Sequence, residues 1–492
     1  MSTTEPGVAT EPFLDSLGIL PVMEDPRSFE FFRRILSSRR NLTLLGRKYQ
    51  SFDPNEIVSV EYRDPPFKGL VNRNELTRVT FRTESKDTAP LEVLLKTTRH
   101  GADEMDISNR HHKQLESMRY QLAQMMFWDD FSLPTPIVFG LARERPQKGF
   151  TNYTLMMEFL DGITFDLHIL ALNQIRGFLD GEEVPKQLTY DKIAASKSAV
   201  ELEIRSIIKS SLEANTRFHE IKESDIRNHN PSLFSPHDTI KYYLIQRGEH
   251  YARRLINYVI QAQPFGTIKF KVTETRAEEL VEELTQLLKP FIIPFTDLER
   301  LCHAHGDEYL HHFQYNGRNG DRNSVVFDAD HTMRTRPEYS HAKILTSFLL
   351  DLNIEQEIEY LEGAFKHGRY NPNLFGDFDQ VTNDYAFISI ALRLFDMGKR
   401  ASNALIDSAT DARIVTGVSY RPHKLRLPSD LANRIPPSVK YPDVPNSLAI
   451  QGRHLSERLF WIASNDRFSR EYNGHAVNLG RFLETYGLIP LK

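Results

Sequence analysis

The chain has 492 residues, of which 40% are hydrophobic and 26% charged, an ordinary globular composition that excludes disordered, collagen-like and low-complexity classes. Its 61 basic and 66 acidic residues leave a formal charge of −5, so a general binder of nucleic-acid backbones is not expected. The single cysteine, Cys302, excludes an intrachain disulfide and a cysteine-built zinc site. There is no basic start followed by an apolar run and no long apolar stretch, so neither a signal peptide nor a membrane span is expected, and the reading is a soluble cytoplasmic protein. Length alone suggests about two to four structural units.

Residues 1 to about 26 are rich in Thr, Pro and acidic residues and read as a frayed terminus. Phe29 to Lys48 has helical apolar spacing and predicts one helix ending near Gly46, with its arginines on a solvated face. Three runs then alternate apolar and polar residues at period two: EIVSVEYRDPP, ELTRVTFRT and LEVLLKTT, separated by PPFKG and ESKDTAP. They predict antiparallel strands. A helix follows, with Leu115, Met118, Leu122, Met125 and Met126 on one face, then two short strands over 133–140 and 153–162. Beyond Phe165 the spacing turns helical up to about residue 301, and two short runs reappear in HFQYNGRNGDRNSVVFD around a Gly/Asn/Asp turn. Helical segments resume at HAKILTSFLLDL, QEIEYLEGAF, DYAFISIALRLFDMGKR and SERLFWIASN. The sum is an α+β chain, a β-rich part followed by a larger helical one.

The densest polar cluster is CHAHGDEYLHH, residues 302–312. One reading is metal ligation by His303, His305 and Asp307, as in HxH hydrolases, but the alternating strands and helices of such barrels are absent. A second is a polar loop whose histidines only satisfy backbone groups. The third is phosphoryl transfer, with Asp307 in a loop and Asp328 ending an apolar strand 21 positions later, one carboxylate suited to act as base and one as metal ligand.

His305-Gly306-Asp307 followed by strand, turn and strand to Phe327-Asp328 resembles the core of aminoglycoside phosphotransferases and choline-kinase-like enzymes. The resemblance implies a bilobal protein-kinase-like fold, with a small antiparallel β-rich N-lobe and a large helical C-lobe. It implies an ATP-dependent transfer of the γ-phosphate to a hydroxyl of a small molecule, with Mg2+, no nucleic acid and no membrane. Asp307 is then the catalytic residue and Asp328 the metal ligand. His312 stands where the family usually places Asn as second metal ligand, a departure from the family's pattern. Gly69 and Asn72 resemble the family's nucleotide loop. Lys96 resembles its phosphate-contacting lysine, Glu116 the lysine's partner, and Glu158 to Leu160 the adenine hinge. The apolar-His pair Phe218-His219 is expected to be structural.

The corresponding division is a tail and helix over 1–54, an N-lobe over 55–164, a helical C-lobe over 165–400 with its catalytic loop at 303–330, and an extension over 401–492. The alternative within this fold is a nucleotide-binding scaffold without transfer activity. Glu278, Glu279, Glu282 and Glu283 read as a charged outer helix face, and Cys302 as a small buried residue.

Overall fold

The computed structural model describes residues 22–23, 29–48, 52–63, 75–84, 90–100, 122, 125–144, 151–160, 164–166, 168–169, 172–173, 176, 197–222, 224–225, 240–262, 273–296, 301–315, 324–328, 333–346, 352–367, 376–409 and 444–489. The chain divides into two units. One comprises Met1–Gly162 with Ile226–Ser235 and Tyr315–Asp330; the other comprises Ile163–Asp225, Pro236–Gln314 and His331–Lys492.

The first unit is built on a six-stranded sheet. Its strands are β1 (Val22–Met23), β2 (Ile57–Arg63), β3 (Glu75–Thr83), β4 (Leu91–His100), β5 (Val138–Glu144) and β6 (Thr151–Glu158), in the spatial order β1-β5-β6-β4-β3-β2. Every pairing is antiparallel except that of β1 with β5. The three alternating runs thus become β2, β3 and β4. Strand β1 was not expected, because a two-residue strand in an acidic, proline-bearing terminus has no periodicity to read.

Helices α1 (Phe29–Leu36) and α2 (Arg39–Lys48) cover one face of this sheet. The single helix expected over 29–48 is broken at Ser37-Ser38, and Gly46 lies inside α2. The break lets α2 clamp β5 with polar groups. Arg40 pairs with Asp129 at 2.8 Å and donates to Val138 O at 2.7 Å, while Asn41 Nδ2 donates to Phe139 O at 2.8 Å. Arg40 is therefore not a solvated helix-face arginine. The core between helices and sheet contains Phe31, Phe32, Val79, Phe81, Leu91, Val93, Leu95 and Met156, with Phe32 and Phe81 packed edge to face at 4.9 Å. Strand β5 starts at Val138, later than the 133–140 run suggested, because Pro134 and Pro136 cannot donate to a ladder.

In the second unit, α3 (Lys197–His219), α4 (Ile240–Ala262) and α5 (Glu274–Ile292) realise the expected helical stretch. The short strands β7 (Cys302–Ala304) and β8 (Phe313–Tyr315) flank the polar cluster, while β9 (Ser324–Val326), which precedes Asp328, belongs to the first unit. Strand β10 (Met333–Thr335), not expected from the sequence, pairs antiparallel with β7. The remaining helices are α6 (Pro337–Leu345), α7 (Ile354–His367), α8 (Phe378–Ala409), α9 (Val444–Ser464) and α10 (Arg470–Thr485). Glu278, Glu279 and Glu283 are at least half exposed, and Arg253 and Arg276 pair with Glu278 and Glu279, which makes this a charged outer face. Among the described residues no helix is long and apolar enough to cross a membrane.

Two constraints hold the helices together. Glu357 on α7 is fully buried and accepts from Arg393 on α8 at 2.6 Å, from Arg458 on α9, and from the Tyr385 hydroxyl. Removing the carboxylate would leave two buried guanidinium groups without their counter-charge, which is costlier than any exposed ion pair. The second constraint is steric: α8 crosses α4 so closely that a Cβ on Gly398 would lie 2.5 Å from the Tyr251 carbonyl oxygen. Gly398→Ala is therefore expected to lower unfolding free energy by about 1–3 kcal/mol, read from urea midpoints; an unchanged midpoint would contradict the close crossing.

Candidate functional site

In the first unit, the period-two rule decides what faces where. Leu91, Val93 and Leu95 of β4 point into the core, so Glu92, Leu94 and Lys96 take the opposite face. Directly opposed residues of an antiparallel pair share a face; Lys96 is opposite Leu155 and Leu94 opposite Met157 on β6. One face thus carries Lys96, Leu94, Leu155 and Met157, while Met156 belongs to the core. Alongside them Arg78 pairs with Glu92 at 2.5 Å, its guanidinium 4.4 Å from the centre of the Phe159 ring.

The segment from Leu133 to Ile137 ties Asp328 into this unit. Val326 N of β9 donates to Pro134 O at 2.7 Å. Three residues further on, Ile137 N donates to the carboxylate of buried Glu158 at 3.0 Å, and Glu158 N donates back to Ile137 O at 2.7 Å. Strand β9 delivers Asp328, which lies 3.2 Å from Lys96 Nζ although 232 positions separate them. Asp328 has φ 69, the left-handed region that a residue with Cβ seldom adopts. Asp enters it more readily than most, and such backbone outliers concentrate at functional sites.

The second unit holds the Asp307 turn. Gly306, with φ 84, reverses the chain at a conformation that favours glycine. Its N–H donates to Glu308 Oε1 at 2.8 Å, and that same oxygen accepts from Ser340 Oγ at 2.9 Å. Asp307 N donates to His305 Nδ1 at 3.2 Å. His312 Nδ1 donates to Asp307 O at 2.7 Å and lies 3.5 Å from Asp307 Oδ2. Lys343, buried on α6, reaches Asp307 Oδ1 at 2.8 Å, also donates to Gly306 O, and sits over the Tyr309 ring at 4.8 Å. Arg336 fixes the start of α6 through Glu338, Asp384 and the Pro294 carbonyl.

Of the residues expected at a site, Lys96 and Asp328 come together, Glu158 and Leu160 lie at the end of β6 and just beyond it, and Asp307 and His312 share one turn. Gly69, Asn72 and Glu116 lie outside the described residues. Lys343, Glu308 and Ser340 were not anticipated; a lysine amid the apolar residues of HAKIL was the available signal. The HxH reading is not supported by the geometry, since among the described residues the group spaced for a metal ion is Asp307, His311 and His312.

Behind the turn lie buried histidines. His219 and His341 meet edge to face at 5.2 Å, and the His303 ring stacks on Phe218 at 6.4 Å. The Phe218-His219 pair thus has the internal packing role expected of it. Burial pushes His303 and His341 down to about 3 and His219 well below its ordinary value. It pushes Glu308 up, and Cys302 well up, the Cys302 thiol donating to Thr335 O at 3.1 Å.

No protein-family model and no curated protein matches the chain. Among solved structures, it is similar to a spectinomycin phosphotransferase in complex with ADP and spectinomycin, at 13% identity over 84% of this chain and 98% of that one, with a TM-score of 0.35. It is similar to a choline/ethanolamine kinase family protein from Mesorhizobium loti, at 11% identity over 84% and 94% of the two chains and a TM-score of 0.36. It is also similar to an aminoglycoside phosphotransferase from Streptomyces rimosus, at 15% identity over 63% and 89%, with a TM-score of 0.33.

The histidines fix a pH dependence. Below the unfolded histidine value of about 6.5 the unfolded chain takes up protons that folded His303 and His341 refuse, so they lower stability as pH falls from there towards 3; the raised Glu308 contributes with the opposite sign. His341→Leu should reduce the slope of unfolding free energy against pH by up to about 1.4 kcal/mol per pH unit, measured by urea unfolding between pH 5 and 6. Equal slopes would show that His341 is not held neutral.

Proposed function

We propose that the chain is an ATP-dependent phosphotransferase that moves the γ-phosphate to a hydroxyl group of a small molecule. The observation that carries this reading is the Lys96–Asp328 pair at 3.2 Å, a cation from the sheet and a carboxylate from a distant strand end. Those are the charges required to hold a nucleotide's phosphates and the ion bound to them. The order of the other parts supports it: the apolar side chains of Leu94, Leu155 and Met157 on the Lys96 face, and an Asp-bearing turn after His305-Gly306.

In this reading Lys96 contacts the phosphates. The N–H groups of Glu158 and Phe159 are engaged with Ile137 O and Glu92 O, so the hinge donor to adenine is Leu160. Gly69 and Asn72 belong to the phosphate loop and Glu116 supports Lys96. Asp328 offers the hard oxygen that Mg2+ prefers, whereas His312, in the second ligand position, offers nitrogen and suits softer ions better. When bound, Mg2+ would offset charge on the transferred phosphoryl group. Asp307 orients the acceptor hydroxyl and takes its proton as the oxygen attacks phosphorus. Lys343 is a positioning residue: by pairing with Asp307 Oδ1 it holds the carboxylate in one rotamer and balances its charge in a buried setting. The reading of a nucleotide-binding scaffold without transfer rests on the imidazole of His312 in that second position.

Asp307→Asn is expected to leave ATP binding within about threefold while lowering acceptor-dependent ADP release by roughly 10²–10⁴-fold, measured against a panel of amino alcohols, sugars and aminoglycosides. Turnover equal to that of the unaltered chain would overturn the assignment. Lys343→Met should lower kcat with little change in the KM for ATP; a change confined to that KM would remove its positioning role.

A further inference from the structure

The Asp307 turn has a second chemical capacity that phosphate transfer does not use. Residues Leu310–His312 form a single 3-10 turn, which places two successive imidazoles beside the Asp307 carboxylate, four and five residues before them. The His311 and His312 rings lie 4.1 Å apart at 67°, and His311 stacks on Tyr309 at 5.4 Å and 9°. One ligand atom from each of Asp307, His311 and His312 lies within 4.8 Å of the other two. Two imidazoles and one carboxylate form a nitrogen-rich set that favours zinc-like transition ions over Mg2+, which selects oxygen donors.

We infer that Asp307, His311 and His312 form a binding site for a divalent transition ion of the Zn2+ class, with one coordination position left open. Ordinary Zn–N and Zn–O distances of about 2.0–2.2 Å require the three donors to close slightly. Half-buried His311 can supply that movement by turning about its own side chain, whereas His312 is buried and already anchored to Asp307. The site shares His312 with the second ligand position assigned to Mg2+, but Asp328 takes no part in it and His311 has no role in transfer. Occupancy would have a consequence for the neighbouring charges. Asp307 now pairs with Lys343 at 2.8 Å, and an ion bound to Asp307 takes over that balance, setting the buried ammonium against a second cation. An ion of this class is therefore an antagonist of the Lys343–Asp307 arrangement, and it withdraws Asp307 from any role as base.

The binding step stands apart from the phosphotransferase reading and is tested without activity. Metal-free full-length chain is titrated with Co2+, following visible absorption, and with Zn2+, following heat. The expected result is one saturable equivalent with the absorption of a low-coordinate nitrogen–oxygen site, displaced by Zn2+ but not by excess Mg2+. His311→Ala should weaken that equivalent by at least tenfold, with an unfolding temperature in chelator equal to that of the unaltered chain. Asp307→Asn should weaken it as well. Absence of a saturable equivalent, or an equivalent that His311→Ala leaves unchanged, overturns the site. If His311→Ala proves unstable, His311→Gln, which keeps polarity and approximate size, decides the same point.

Discussion

A buried ammonium group governs the Asp307 turn. Lys343 Nζ sits in an almost completely buried position, where an uncompensated charge would cost several kcal/mol. Its compensation includes the Asp307 carboxylate, the Gly306 carbonyl and the faces of Tyr309 and Tyr339. Each of those is thereby fixed. Gly306 must stay in its left-handed conformation for its carbonyl to meet the lysine and its N–H to meet Glu308. Helix α6 must start where it does, which is what the Arg336 clamp to Glu338, Asp384 and Pro294 secures. The turn is thus assembled from both sides by groups that have no cheap alternative arrangement.

The first unit works by a simpler rule. Alternation in β4 sends its aliphatic residues into a core beneath α1 and α2 and leaves Lys96 on the other face, beside Leu155 and Met157. The Lys96 ammonium, flanked by Leu94 and Leu155, pairs with Asp328, which β9 delivers through the Val326–Pro134 hydrogen bond. Asp328, with a left-handed backbone just past the strand end, meets the lysine at 3.2 Å. Hydrophobic patterning here does more than form a sheet: it determines which charged residues remain to do chemistry.

Much of this was legible in the sequence because the relevant signals are local. Period-two alternation gave β2, β3 and β4, and three-to-four spacing gave the long helices, since burial of a face is written directly into residue order. The HGD turn and the strand ending in Asp328 were readable as motifs. What escaped has a different origin. The break at Ser37-Ser38 depends on Arg40 and Asn41 finding β5 roughly a hundred residues away. Strands β7 and β10 are three residues each, too short for periodicity. Lys343 reaches Asp307 only once α6 has docked, and His311 was passed over because the HxH pattern drew attention to His303 and His305, which point into packing with Phe218.

The central claim is that Lys96 and Asp328 are the nucleotide-binding charges of a phosphotransferase. It is tested most directly by calorimetric titration of ATP, with and without Mg2+, into the unaltered chain and Asp328→Ala. The account predicts one ATP per chain, bound at least tenfold more tightly with Mg2+, and loss of that metal dependence in Asp328→Ala. Absence of ATP binding, or binding that neither Mg2+ nor the substitution alters, would contradict it.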